Sequence, residues 1–134
     1  DLRLKVILET GDLHQPALIA RACRIALGAG ADFLKTSTGK VKVNATPEAA
    51  RLLLEAIAAD PRGRDRVGFK PAGGIRTAKQ SLDWLVLMKE ELGSAWLSPD
   101  RFRIGASGLL SDIERQLEHA ATGRYSVLHH HPQP

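Results

Sequence analysis

Two lysines in this chain stand where a lysine is costly. Lys35 closes the run Asp32-Phe33-Leu34-Lys35, and Lys70 closes Val67-Gly68-Phe69-Lys70. Each run has the apolar character of a short buried strand. An ammonium at the end of such a strand loses hydration, so its pKa tends to fall and the free amine becomes available as a nucleophile. Imine (Schiff-base) chemistry requires such an amine. A single lysine in this position could instead extend its charge into water along its own stem. Two lysines at matching ends of adjacent parallel strands would face each other, and like charges at close range disfavour double protonation. Lys35 is therefore the candidate nucleophile, and Lys70 the neighbour whose charge perturbs it.

Small residues and hydroxyls follow both lysines. Thr36-Ser37-Thr38-Gly39-Lys40 comes after the first, Pro71-Ala72-Gly73-Gly74-Ile75-Arg76 after the second, and a third stretch reads Gly105-Ala106-Ser107-Gly108. Gly73, Gly74, Gly105, Ser107 and Gly108 offer backbone N–H groups with little side chain to obstruct a ligand, and such amides near a helix start can hold phosphate. Gly39, Lys40 and Arg76 could add donors and charge from neighbouring loops. Glycine pairs also serve ordinary tight turns, so these loops gain meaning only from where the fold puts them.

Four βα units would position these groups. Arg3 to Glu9 reads as a strand ending at Thr10-Gly11-Asp12; Pro16 then opens a helix whose apolar residues Leu18, Ile19, Ala22, Ile25 and Ala26 recur at helical spacing until Gly28 and Gly30. Asp32 to Lys35 is the second strand. Thr46-Pro47-Glu48 supplies a cap, a first-turn proline and an acid for the second helix, which ends at Pro61 and Gly63. Val67 to Lys70 is the third strand, and Thr77 with Gln80 forms a capping box for a long helix closed by Gly93. Phe102 to Ala106 is the fourth strand, and Ser111 with Glu114 a second capping-box candidate for the last helix. Alternation of this kind specifies a parallel sheet with outer helices, as an open α/β sheet or as half of a (β/α)₈ barrel, which normally needs about 250 residues. In either, the carboxyl ends of the strands form the functional face.

Composition sets the class. The 134 residues are 43% hydrophobic and 25% charged, as expected of one soluble globular domain. No run of about 18 apolar residues and no basic-then-apolar leader occur, so the expectation is a cytoplasmic protein without a membrane role. The net charge is +4 and the pI near 9.6. The cations are interleaved with acids rather than gathered in a stripe, and aromatic residues make up only 4%, which argues against nucleic acid as partner and suits a small anion. The cluster from Arg62 to Arg66 reads as a solvated loop. Cys23, the only cysteine, falls on an apolar helical face and reads as a core residue. Residues 1–122 read as the folded unit and 123–134 as a flexible tail, in which His129-His130-His131 is no convincing metal site because three adjacent side chains cannot converge on one ion unaided.

The segments Leu34-Lys35-Thr36-Ser37-Thr38-Gly39-Lys40, Gly68-Phe69-Lys70-Pro71-Ala72-Gly73-Gly74-Ile75-Arg76 and Arg103-Ile104-Gly105-Ala106-Ser107 resemble those of deoxyribose-phosphate aldolases. Leu8-Glu9-Thr10-Gly11 and Val43-Asn44-Ala45-Thr46-Pro47-Glu48 add to the match, which runs in order from about Leu4 to Leu117. The resemblance implies an α/β chain of the TIM-barrel family supplying strands 5 to 8 of a (β/α)₈ barrel. It implies a class I lyase that splits 2-deoxy-D-ribose 5-phosphate reversibly into D-glyceraldehyde 3-phosphate and acetaldehyde, without metal or cofactor. By the same resemblance Lys35 is the Schiff-base lysine, Lys70 perturbs it and takes part in proton transfer, and Gly39, Lys40, Gly73, Gly74, Gly105 and Ser107 carry the phosphate. Gly108 stands where many relatives have a second serine, which leaves a backbone contact without the hydroxyl. The family's relay aspartate has no counterpart in these residues, and Glu9, at a strand end, is better read as a structural hydrogen-bond acceptor. The expected partners are a phosphorylated sugar and a complementary barrel half or a second copy of the chain. The alternative is a catalytically incomplete half barrel that binds phosphate esters or oligomerises.

Overall fold

Short strands punctuated by capped helices dominate a computed structural model of the chain, which describes residues 2–127 and 130. In order they are β1 (Lys5–Ile7), α1 (Thr10–Leu13), α2 (Pro16–Gly28), β2 (Phe33–Lys35), α3 (Pro47–Ala59), α4 (Gly63–Arg66), β3 (Gly68–Lys70), α5 (Ala78–Leu92) and α6 (Leu109–Thr122). The helix starts follow the sequence chemistry. Pro16 opens α2, and Thr46 caps α3 by accepting from the Ala49 N–H at 3.2 Å. The Thr77–Gln80 capping box is formed at α5, with Gln80 Oε1 accepting from both Arg76 N–H and Thr77 N–H.

The sheet is parallel, in the order β1-β2-β3. Its register pairs Lys5 with Phe33, Ile7 with Lys35, Phe33 with Gly68 and Lys35 with Lys70. Side chains alternate across a sheet, so these residues share one face. Leu34 and Phe69 point the other way, into a core that also contains Cys23, Leu53, Leu54, Ile57 and Met88. Cys23 is fully buried there, which pushes its thiol up to about 11, chiefly through desolvation. Helices α2, α3 and α5 pack in sequence over that face.

Three expectations needed correction. The fourth strand, Phe102 to Ala106, is reduced to two isolated bridges, Phe69 with Phe102 and Ala72 with Gly105. The hydrogen bonds keep one parallel register: Arg103 N–H donates to Phe69 O, Gly105 N–H to Pro71 O, and Gly73 N–H to Gly105 O. The bond missing between them is the one Pro71 would donate, and proline has no N–H. The ladder breaks for that reason, while the segment keeps its place beside β3. At α6 the flanking residue is Gly108 and the helix begins at Leu109, so Ser111 lies inside the first turn rather than at the cap. The stretch after Arg62, read as a solvated loop, contains the short helix α4; Arg62 itself is tied down by donating to Leu27 O and pairing with Asp60 at 3.5 Å.

The inner face of the sheet lies opposite the helix-packed core. Phe33 is buried there beneath two cations, Arg103 at 4.7 Å and Lys5 at 5.6 Å from its ring centroid. Ile7 on the same face is 43% exposed. Beyond α6, Tyr125 stacks on His119 and Ser126 O accepts from Arg115 Nε, so part of the expected tail lies against the helix. His129 and His131 lie outside the described residues. Among the described residues no helix is long and apolar enough to cross a membrane.

Candidate active site

Each strand end delivers one part of the site. Lys35 and Lys70 are the last residues of β2 and β3 and are register partners, which puts their Cα atoms on adjacent strands about 5 Å apart. Burial holds the pKa of Lys70 below the ordinary lysine value, and the charges of Lys5, Lys35 and Arg103 lower it further. Space for its stem comes from Gly105, where a Cβ would stand 3.0 Å from Lys70 Cε and 2.7 Å from Ala72 Cβ.

Thr36, fully buried, locks three successive strand ends together. Its N–H donates to Lys70 O at 3.2 Å, and its carbonyl accepts from Thr10 N–H at 3.0 Å. Its hydroxyl accepts from Ala72 N–H at 3.0 Å and lies 3.4 Å from Ala72 O. Thr36→Val keeps the volume but strands the buried Ala72 N–H. The expected result is a loss of about 1–3 kcal/mol in unfolding free energy, read from urea melts.

The loops after β2, β3 and the fourth segment enclose a cleft of about 450 Å³. Of the anticipated residues, Lys35, Gly39, Lys40, Gly73, Gly74, Arg76, Gly105 and Ser107 line it. Gly108 does not, because it has already turned into the start of α6; Lys70 is not part of the lining either, standing one strand over from Lys35. Thr38, Ala72, Ile75 and Ala106 line the cleft as well and are not candidates from the sequence, although Ile75 and Ala106 each sit between two residues that are.

The backbone donors divide in a way that glycine content does not disclose. Gly73 N–H is used on Gly105 O, Gly105 N–H on Pro71 O, and Arg76 N–H on Gln80 Oε1. Those groups tie loops together. Among the described residues, Gly39, Gly74, Ala106 and Ser107 keep N–H groups without a protein partner, the last two just ahead of the positive end of α6. Gly73 has φ 88°, and a side chain there would meet Asn44 at 2.6 Å, so glycine lets the loop after β3 press against the loop after β2. Among the described residues no group of three or more histidines, cysteines or acids is arranged to hold a metal. Chemically the arrangement offers an amine beside a second amine of lowered pKa, with backbone donors and two flexible cations on one rim.

Residues 2–121 match the family described as DeoC/LacD family aldolase. The chain is 56% identical to a deoxyribose-phosphate aldolase of Mus musculus and 55% identical to that of Homo sapiens, over 98% of its own length in the mouse and human comparisons. It spans 42% of the length of either relative. The apo-form crystal structure of a Toxoplasma gondii ME49 protein assigned as a deoxyribose-phosphate aldolase superposes with a TM-score of 0.75 at 30% identity, over 91% of this chain and 47% of that one. A Coccidioides immitis protein with the same assignment gives 0.67 at 30% identity, over 87% and 40%. The four βα units are thus part of a (β/α)₈-type barrel. With its paired strand-end lysines set beside an amide-lined cleft, the chain belongs to the DeoC/LacD family of aldolases.

Proposed function

We propose that the chain carries the imine-forming and phosphate-binding part of a deoxyribose-phosphate aldolase. The observation that carries this reading is the register pairing of Lys70 with Lys35, which lines the cleft. Lys35 Nζ attacks C1 of the open-chain 2-deoxy-D-ribose 5-phosphate, and loss of water gives an imine. Once protonated, the imine draws in the electron pair of the C2–C3 bond as that bond breaks and the C3 hydroxyl gives up its proton. D-glyceraldehyde 3-phosphate leaves, the enamine on Lys35 takes a proton at C2, and water releases acetaldehyde.

Lys70 holds a free amine at lower pH than an ordinary lysine does, so it can exchange protons with groups formed on Lys35. The phosphate binds at the opposite rim, on the N–H groups of Gly39, Gly74, Ala106 and Ser107 and the side chains of Lys40 and Arg76. A freely diffusing sugar phosphate as substrate fits a cytoplasmic site of action. A complementary barrel half would cover the inner face around Ile7 and Phe33.

Borohydride reduction in the presence of 2-deoxy-D-ribose 5-phosphate tests the reading. The expected result is one stable adduct, mapped by mass spectrometry to Lys35. An adduct on another lysine, or none, would overturn the assignment. Binding of phosphate esters with no retro-aldol turnover would favour the incomplete half barrel.

A further inference from the structure

An acid beside an anion site works against the ligand it adjoins, and Glu9, bonded to the cleft-lining residue Thr38, is such an acid. It stands at the end of β1, and both of its carboxylate oxygens accept from the Thr38 N–H, at 3.1 Å each. Thr38 is followed directly by Gly39 and Lys40, which line the cleft. The backbone that carries Glu9 is held on both sides, because Leu8 N–H donates to Lys35 O and Thr10 N–H to Thr36 O, each at 3.0 Å. Its own carbonyl accepts from Asp12 N–H and Leu13 N–H, closing α1 around a left-handed residue with φ 52°. Non-glycine residues adopt that conformation rarely, and they keep it only where the surroundings impose it.

The rest of the same loop rests on the next turn of chain. A side chain at Gly11 would run into Val43 O, and Asn44 packs against Gly73. The turn after β1 therefore supports the loop after β2 at both of its ends. Two backbone donors at the cleft end of that loop are already used. Thr38 N–H is taken by Glu9, and Lys40 N–H by the Thr38 hydroxyl at 3.2 Å. Of the cleft-lining residues of this loop, Gly39 keeps its N–H and Lys40 its ammonium for a ligand, beside the Thr38 hydroxyl.

We propose that Glu9 is a positioning residue for phosphate recognition: its carboxylate pins Thr38 so that Gly39 and Lys40 meet the phosphate on the same rim as Gly74 and Ser107. The choice of ligand rests on the aldolase reading, whereas the geometry of the pin does not. Charge and position predict opposite outcomes for loss of Glu9. If its charge were what mattered, removing an acid from the rim would tighten phosphate binding. If it holds the loop, removal weakens binding.

The test is a titration of the chain with inorganic phosphate, followed by the amide resonances of Gly39 and Lys40. Glu9→Ala is expected to raise Kd about tenfold, the loss of one charge-assisted hydrogen bond, and Glu9→Gln, which keeps one acceptor oxygen, by less. Borohydride trapping at Lys35 should decline with 2-deoxy-D-ribose 5-phosphate and stay within about twofold of the wild type with unphosphorylated 2-deoxyribose, a split that general loss of structure would not produce. Should Glu9→Ala fail to fold, the Kd of Glu9→Gln decides. An unchanged or lower Kd, an equal decline with both sugars, or a wild-type chain whose Gly39 and Lys40 amides ignore phosphate would each overturn the proposal. Phosphate binding that depends on Glu9 in a chain that traps no adduct would support the positioning role and refute the aldolase chemistry.

Discussion

Lys35→Arg is expected to abolish imine formation, lowering retro-aldol turnover and borohydride-trapped adduct by on the order of 10⁴- to 10⁶-fold, the scale seen when a covalent nucleophile is removed. Arginine keeps the positive charge and much of the reach, but its guanidinium does not give up a proton near neutrality and so cannot attack a carbonyl. The substitution therefore separates charge from nucleophilicity. Phosphate binding at the far rim should remain, because the amide donors of Gly39, Gly74 and Ser107 do not run through the Lys35 side chain. An amide titration with inorganic phosphate that gives the wild-type Kd, alongside absent turnover, is the expected pair of results. Residual turnover within about a hundredfold of wild type would mean that another amine carries the covalent step.

Lys70→Met should have two effects of opposite sign. Turnover is expected to drop by about 10²- to 10⁴-fold, the usual contribution of a proton-transferring group. The folded chain, in contrast, should become more stable at pH 7. Lys70 lies among Lys5, Lys35 and Arg103, and burial and those charges lower its pKa. In the unfolded chain it keeps its proton up to the ordinary lysine value. Between the lowered and the ordinary value the unfolded state binds the extra proton, so stability rises with pH across that window. Below the window the folded chain carries the repelled ammonium in full. Methionine removes both the repulsion and the slope, and a rise in Tm of roughly 2–5 °C at pH 7 is expected from thermal melts. The pH profile gives a second readout. Wild-type turnover should decline as pH falls through the lowered Lys70 value, and that limb should be missing from the variant. A variant that loses both activity and stability would show Lys70 to be a structural residue.

A stability gain from losing Lys70 has a clear origin in the fold. Lys5, Lys35, Lys70 and Arg103 lie on the inner face of the sheet, and the same face holds Phe33 and Ile7. The outer face puts Leu34 and Phe69 into the core. The two faces are related by a one-residue alternation in three-residue strands, so binding chemistry and core packing are interleaved along the chain.

Much of this was legible from residue types. The helix starts at Pro16, Thr46 and Thr77 could be read because capping and first-turn proline are local, depending on side chains within a few residues of the bonds they satisfy. The lysine pair could be read because both stand at the ends of short apolar runs, and parallel strands of equal length put such ends at one height. Phe102 to Ala106 reads as a full strand because its own residues suit one; the missing donor belongs to Pro71, thirty-odd positions away. Ser111 has the residue type of a cap, but the helix starts two residues earlier, at Leu109 after Gly108. A structural hydrogen bond to Glu9 is legible from its place at a strand end, whereas its partner, Thr38 N–H, is set by the tertiary fold.

By itself, then, the sequence determined that this is a parallel α/β chain with two strand-end lysines and three loops of small residues on one face. Those features follow from local periodicity, caps and residue type. Only the tertiary structure decided which amides in those loops are available to a ligand. Gly73 and Gly105 look like phosphate donors in the sequence, yet their N–H groups are used on Gly105 O and Pro71 O, whereas Gly39 and Ser107 keep theirs. A backbone N–H makes one good hydrogen bond, and whether a loop or a ligand receives it depends on what other strands bring within about 3 Å.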